Sequence, residues 1–238
     1  MKSILRLSAL TTLGLLLATT ASAAFESLQL HPDNPLPEFP LALKVDGITR
    51  GKAIIAISVS DEGRLTDWLV LGYTHELFAK SCLAVLQDWR FTPAQLDGTP
   101  VGVKTELTFD FTLEGAVISA NIVNHFFFDN YEGVADNRFT RRVCDRAAID
   151  RSPALVAGST PKYAVEAEAQ GVRGRVEVHF YIDEQGAVRM PVVGSATHPY
   201  LAESALTALR DWRFEPAMHD GRPVLVAASQ VFDFSSTK

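Results

Sequence analysis

The sequence predicts an α+β protein: two small domains of β-β-α-β order, each an antiparallel sheet with one helix laid on it, joined by a partly helical linker. Three observations carry this. A fourteen-residue phrase occurs twice, as DWRFTPAQLDGTPV from Asp88 and as DWRFEPAMHDGRPV from Asp211, 123 positions apart. Around each phrase the apolar period changes from two to three-or-four and back, in the same order. Two units are too few for a solenoid, which stacks three or more, so the chain is a duplicated domain.

The elements follow in order. Lys2 and Arg6, a short apolar stretch centred on LGLLLA and the sequence Ala21-Ser22-Ala23 form a signal-peptide pattern over residues 1–23, with cleavage expected between Ala23 and Ala24. The charge-free run from Leu7 to Ala24 is broken by Ser8, Thr11, Thr12, Thr19, Thr20 and Ser22, whereas a span needs about 20 predominantly apolar residues. Residues 24–38 carry Pro32, Pro35 and Pro37 and read as an extended segment.

Domain 1 (39–112) and domain 2 (161–236) then read alike. From Gly51 to Phe111 and from Gly174 to Phe234 the copies align without a gap. Ala53, Ile55, Ile57 and Val59 share one strand face, as do Val176, Val178, Phe180 and Ile182. In the second copy Glu177, His179 and Tyr181 occupy the other face, which is expected to be solvated or partly covered. DEG and DEQG supply hairpin turns before second strands at 64–71 and 187–193. Leu77, Phe78, Cys82, Val85, Leu86 and Trp89 then recur at helical steps, as do Leu201, Ala205, Ala208, Leu209 and Trp212. Thr74 and Thr197 stand where an N-cap is needed. Pro93 and Pro216 keep the following chain out of helix, and LDGTP and HDGRP turn it into last strands at 101–111 and 224–234. Trp89, Arg90, Phe91, Pro93 and their repeats Trp212, Arg213, Phe214, Pro216 are therefore structural: the aromatics close the helix–sheet core and the charges flank the turn.

The linker, 113–160, is too long and too apolar for a tether. NRFTRRVCDRAAIDR reads as helical, and Phe126 to Phe128 with Tyr131 read as core, a partner-binding patch being the alternative. Cys82 and Cys144 can pair as a disulfide in an oxidising compartment, worth roughly 3–4 kcal/mol for so long a loop, or can each serve as a small buried residue.

Composition excludes several functions. The formal charge is −6 with no basic run, which argues against nucleic acid and against an anionic membrane surface. No G-x-S-x-G occurs, the six histidines show no metal-binding spacing, and two distant cysteines make no zinc ribbon. The repeated His75 and His198 read as residues at helix starts bonded to nearby backbone. No cofactor, metal or catalytic residue is expected, and the chain reads as no enzyme. A hydrolase site between the domains, using His198 and His219, is the remote alternative.

Gly171-x-x-Gly174 before the first strand, D-x-x-G in the hairpin, W-R-F-x-P after the helix, D-G-x-P-V and a final F-x-F together resemble the C-terminal domain of the TonB family. Both copies carry the set, over about three-fifths of the chain. Phe39-Pro40 resembles the family's aromatic-Pro start, while the second copy has Tyr163-Ala164 with its proline at Pro161. The resemblance implies a periplasmic, non-catalytic domain that adds a short segment of an outer-membrane receptor to its last strand. Carried over, that edge is Val224, Leu225, Val226, Ala227, Ala228 and Ser229 in the second copy. In the first copy it is Val101, Gly102, Val103, Lys104, Thr105 and Glu106. Alternatively the edge pairs with the other copy or with a second chain, giving a homodimer. The chain departs from an energy transducer because its apolar segment looks cleavable and its extended segment spans only some 50 Å even at polyproline stretch. A degenerate transducer with a retained anchor is the alternative.

Overall fold

A computed structural model describes residues 25–121, 138–163 and 165–234. The signal-peptide residues, including Ala23 and Ala24, and the Phe126–Phe128 cluster with Tyr131 lie outside them. Strands β1 (Phe25–Glu26) and β2 (Gln29–Leu30) precede the short helix α1 (Leu41–Val45). Then come β3 (Arg50–Val59), β4 (Leu65–Tyr73) and helix α2 (Glu76–Leu86). Three short strands, β5 (Phe91–Thr92), β6 (Ala94–Leu96) and β7 (Thr99–Val101), lead into β8 (Val103–Thr112). The linker supplies β9 (Gly115–Asn121), β10 (Thr140–Arg141), β11 (Val143–Cys144), a 3-10 turn at Arg146–Ala148 and β12 (Ala154–Ala157). The second copy runs α3 (Val165–Ala169), β13 (Arg175–Ile182), β14 (Val188–Ala196) and α4 (Pro199–Leu209). It closes with β15 (Arg213–Glu215), β16 (Ala217–His219) and β17 (Arg222–Asp233).

Two five-membered arrangements result, antiparallel except where β11 joins the second in parallel. In the first copy the order is β10-β4-β3-β8-β9; in the second it is β11-β17-β13-β14, with β16 also on β17. Each helix packs on one face of its own sheet. Phe78, Cys82 and Leu86 of α2 join Ala53, Ile55, Ile57 and Val59, and Leu201, Ala205 and Leu209 of α4 join Val176, Val178, Phe180 and Ile182. The opposite faces meet each other. Ile54, Ala56, Leu69 and Leu71 of the first copy form one buried cluster with Tyr181, Met190 and Leu225 of the second. Tyr181 is only 2% exposed while Glu177 and His179 stay half-buried, so of the two expectations for this face partial cover holds, and the inter-copy core supplies it. Met190 reaches it from a bulged position of β14, at φ 50°, where β13 and β14 slip register. Arg189 ties the seam at its margin: its Nε donates to Asp67 across the copies at 3.2 Å, a second nitrogen donates to the Trp68 carbonyl at 2.8 Å, and Asp183 lies 3.4 Å away.

Several expectations are corrected. The helix caps are histidines: His75 Nδ1 accepts from Leu77 N at 3.2 Å and His198 Nδ1 from Tyr200 N at 3.4 Å. Thr74 and Thr197 instead accept from the neighbouring strand amides of Lys52 and Arg175. The linker segment read as helical forms β10, β11 and a three-residue 3-10 turn, because sheet edges accept its main chain; a helix there would leave them unpaired. The N-terminal segment is docked on the first copy: β1 pairs with β6, β2 with β5, and Leu28 is buried. Before the second copy, β12 pairs with β15 and Arg151 bridges Met218, so both copies use a preceding strand to hold the chain after the helix. Trp89 and Trp212 anchor those preceding segments, each indole N–H donating at 2.9 Å, to the Pro35 and Ser159 carbonyls. Cys82 and Cys144 are both free and belong to different cores, Cys82 beneath α2 and Cys144 against the second copy, so the pairing expected as one alternative does not occur.

Candidate functional site: the outer edge of the last strand

The last strand of each copy lies in its sheet with one side turned to its first strand. β8 pairs with β3 over ten positions, from Arg50↔Thr112 to Val59↔Val103. β17 pairs with β13 over eight, from Arg175↔Asp233 to Ile182↔Val226. Alternation along these strands follows from the sequence: in β17 Val226 and Phe232 enter the helix-side core while Leu225 enters the inter-copy core. Ahead of each lies an Asp-Gly turn in which both residues take positive φ, at 51° and 76° for Asp97-Gly98 and 49° and 69° for Asp220-Gly221. That is the two-residue hairpin geometry that fixes where the last strand begins.

The outer sides differ between the copies. In the first, β9 folds back and takes β8 from Glu106↔Asn121 to Thr112↔Gly115. The chain has thus covered this strand from Glu106 onward with its own β9; of the first copy's candidate residues Val101 lies in β7, Gly102 between strands, and Val103, Lys104, Thr105 and Glu106 in β8. In the second, β16 takes Arg222 to Val224, and β11 takes Leu225 and Val226 in parallel register. Among the described residues no strand follows on the outer side from Ala227 onward. There a cleft of about 420 Å³ opens, floored by Val226, Ala227, Ala228 and Ser229 and walled by His179, Arg141, Cys144, Arg146 and Ile149. Of the six residues assigned to the edge, Val224, Leu225 and Val226 are thus covered by the chain itself, and Ala227, Ala228 and Ser229 line the cleft. Nothing in the composition of the linker foretold β11; a two-residue strand has too little pattern to read.

Electrostatics near the edge are mild. Burial, reinforced by Asp145 and Asp150, pushes the Cys144 thiol up, and burial pushes the Cys82 thiol up further. Lys104 on β8 has its ammonium held below the usual lysine range by burial, against the pull of Asp67. Among the described residues one group could approach a metal: the oxygens of Asp150 and Asp220 and a ring nitrogen of His219 lie within 4.8 Å of one another. Both carboxylates are exposed, and Arg222 lines the adjoining surface. His198 takes no part in this group; its ring caps α4 and lies 4.9 Å from Tyr200.

Comparison with known proteins finds one family's domain in both copies. The family model for the Gram-negative bacterial TonB protein C-terminal matches residues 35–113 and again 159–235. Protein TonB of Vibrio cholerae serotype O1 is 35% identical over 74 residues, which is 30% of this chain and 30% of that protein. The chain therefore matches less than a third of its curated relative's length. The solution structure of the Pseudomonas aeruginosa TonB C-terminal domain is 29% identical, with a TM-score of 0.33, over 37% of this chain and 91% of that one. With two matches that together cover most of the chain, this protein belongs to the TonB C-terminal family and carries that domain in tandem.

Proposed function

We propose that the protein is an exported, periplasmic, non-catalytic binding protein linked to TonB-dependent transport, and that its second domain binds an extended segment of an envelope protein, an outer-membrane receptor above all. Residues 1–23 serve as the signal peptide, 39–112 and 161–236 as the two domains, with 24–38 and 113–160 as connecting segments. Binding is by strand addition: the partner's main chain pairs with the outer side of β17, which requires no catalytic group and no cofactor. The observation that carries this is the contrast between the edges. β9 covers the outer side of β8 from Glu106 to Thr112, whereas among the described residues no strand follows on β17 from Ala227 onward and a cleft opens beside Ala227, Ala228 and Ser229. The first domain then acts as the scaffold on which the second is seated.

A photo-crosslinking residue at Ser229, an exposed position beside the cleft, tests this in intact cells, with the same residue at exposed Glu62 of the first copy as control. Outer-membrane receptors are expected from Ser229 and not from Glu62. The same proteins from both positions, or none from Ser229, would overturn the reading. Determining the N-terminus of the mature protein checks export separately: Ala24 is expected.

A further inference from the structure

The segment Phe139–Cys144 links the two sheets edge to edge. Its first half belongs to the first copy: Thr140 and Arg141 pair antiparallel with Tyr73 and Gly72, and Arg142 N donates to the Leu71 carbonyl at 2.8 Å. The Phe139 ring approaches Gly72 so closely that a Cβ there would stand 2.4 Å from it. Its second half belongs to the second copy: Val143 pairs with Leu225 and Cys144 with Val226, in parallel. Val143 enters the inter-copy cluster and Cys144 packs on the second copy's core, the alternation a strand partner shows. The Arg142 guanidinium is hydrogen-bonded to Glu184 in the second copy's hairpin.

We propose that this segment is the resting occupant of the binding edge of β17, and that a partner strand enters in the same parallel register by displacing it; this rests on the edge-binding function argued above. The grip is short. Two paired residues contribute few main-chain bonds, each worth only about 0.5–1.5 kcal/mol net, whereas a strand running on past the Cys144 position would pair along Ala227 to Ser229 as well. The chain itself does not continue that way: Asp145 accepts from Ala147 N at 2.9 Å and turns it into the 3-10 helix, which leaves the cleft where a longer strand would run. By contrast β9, seven residues long, pairs along seven positions of the first copy's last strand, Glu106 to Thr112. The segment also specifies its competitor. The partner needs an apolar residue opposite Leu225, a small apolar one opposite Val226, and a basic one just before them to meet Glu184.

The test uses the full mature chain and, as probe, a fluorescent peptide copying Arg138–Arg146 with serine at the cysteine. In V226C the introduced thiol faces Cys144 across one strand pair, a separation disulfides accept. Oxidation should form that bond and abolish peptide binding, and dithiothreitol should restore it. The double variant Phe139→Ala, Arg142→Ala should bind the peptide at least about tenfold tighter than wild type, as expected if the resting segment holds the edge some nine-tenths of the time. Failure of the bond to form, equal binding to locked and reduced protein, or no gain in the double variant would each overturn the proposal. Receptors captured through Ser229 while the peptide exchange fails would leave the function standing and remove the displacement. Peptide exchange without receptors would do the converse.

Discussion

Gly63 and Gly186 show why a repeated residue can be structural rather than chemical. Both sit in hairpin turns at φ 76° and 78°, and a Cβ would stand 2.1 Å from the Phe91 carbonyl oxygen and 1.8 Å from that of Phe214. The same glycine carbonyls accept from the Phe91 and Phe214 amides, so hairpin and post-helix strand are locked together. Gly186→Ala should therefore cost more than the roughly 1–2 kcal/mol of a left-handed alanine alone, read as a lower urea midpoint with unchanged slope. The cysteines give a second expectation. Both thiols are raised by burial, so the native protein at neutral pH should label slowly at Cys144 and not at Cys82, and both should label fully in denaturant. Because the folded state keeps the Cys82 proton while the unfolded chain loses it, this group's contribution is full below about pH 8.5 and falls progressively above it. A denaturation series at pH 7 to 10 on wild type and Cys82→Ala should show the difference.

At the scale of elements, the connecting segment acts as a donor of strands. It supplies β9 to the outer edge of the first sheet, β10 to that sheet's other edge, and β11 to the second sheet. Exposed edges invite association with other chains, and short added strands remove that liability. Ile118→Pro in β9 should reopen the β8 edge, since proline withdraws a ladder donor. The expected outcome is a loss of stability on the order of 1–3 kcal/mol together with concentration-dependent association by sedimentation velocity, while wild type shows less. The helix expected between residues 137 and 151 failed on this same ground: local propensity was outweighed by edges that lie far away in sequence.

The whole molecule is a helix–sheet–sheet–helix stack whose middle seam is apolar and whose margin is charged. Arg189 reaches Asp67 and the Trp68 carbonyl of the other copy, and Asp67, helped by Asp183 of its own copy, holds its guanidinium above the usual arginine range. A double-mutant cycle on Arg189→Ala and Asp67→Ala should return a coupling of roughly 1–3 kcal/mol, the worth of hydrogen bonds between charged groups that are largely shielded. A coupling near zero would mean that the copies are not held together at this point in solution.

The sequence by itself determined the repeat, the family, the mixed helix-and-strand content of each copy and the places of the Trp, Gly and Asp-Gly positions. These rest on periodicity and turn chemistry within a few dozen residues of one another, which are local and therefore legible. Only the tertiary structure decided which sheet faces meet, that His75 and His198 rather than the adjacent threonines cap the helices, and which strand covers which edge. The reason is physical. Ile54 and Tyr181 look like the outward residues of separate sheets until a second sheet is brought against them, and Val143 with Cys144 look like part of a helix until β17 presents unpaired main chain. Main-chain pairing is indifferent to side chains, so the edge at Val224–Ser229 could be expected only from the resemblance, and the two residues of the chain's own linker that lie upon it not at all.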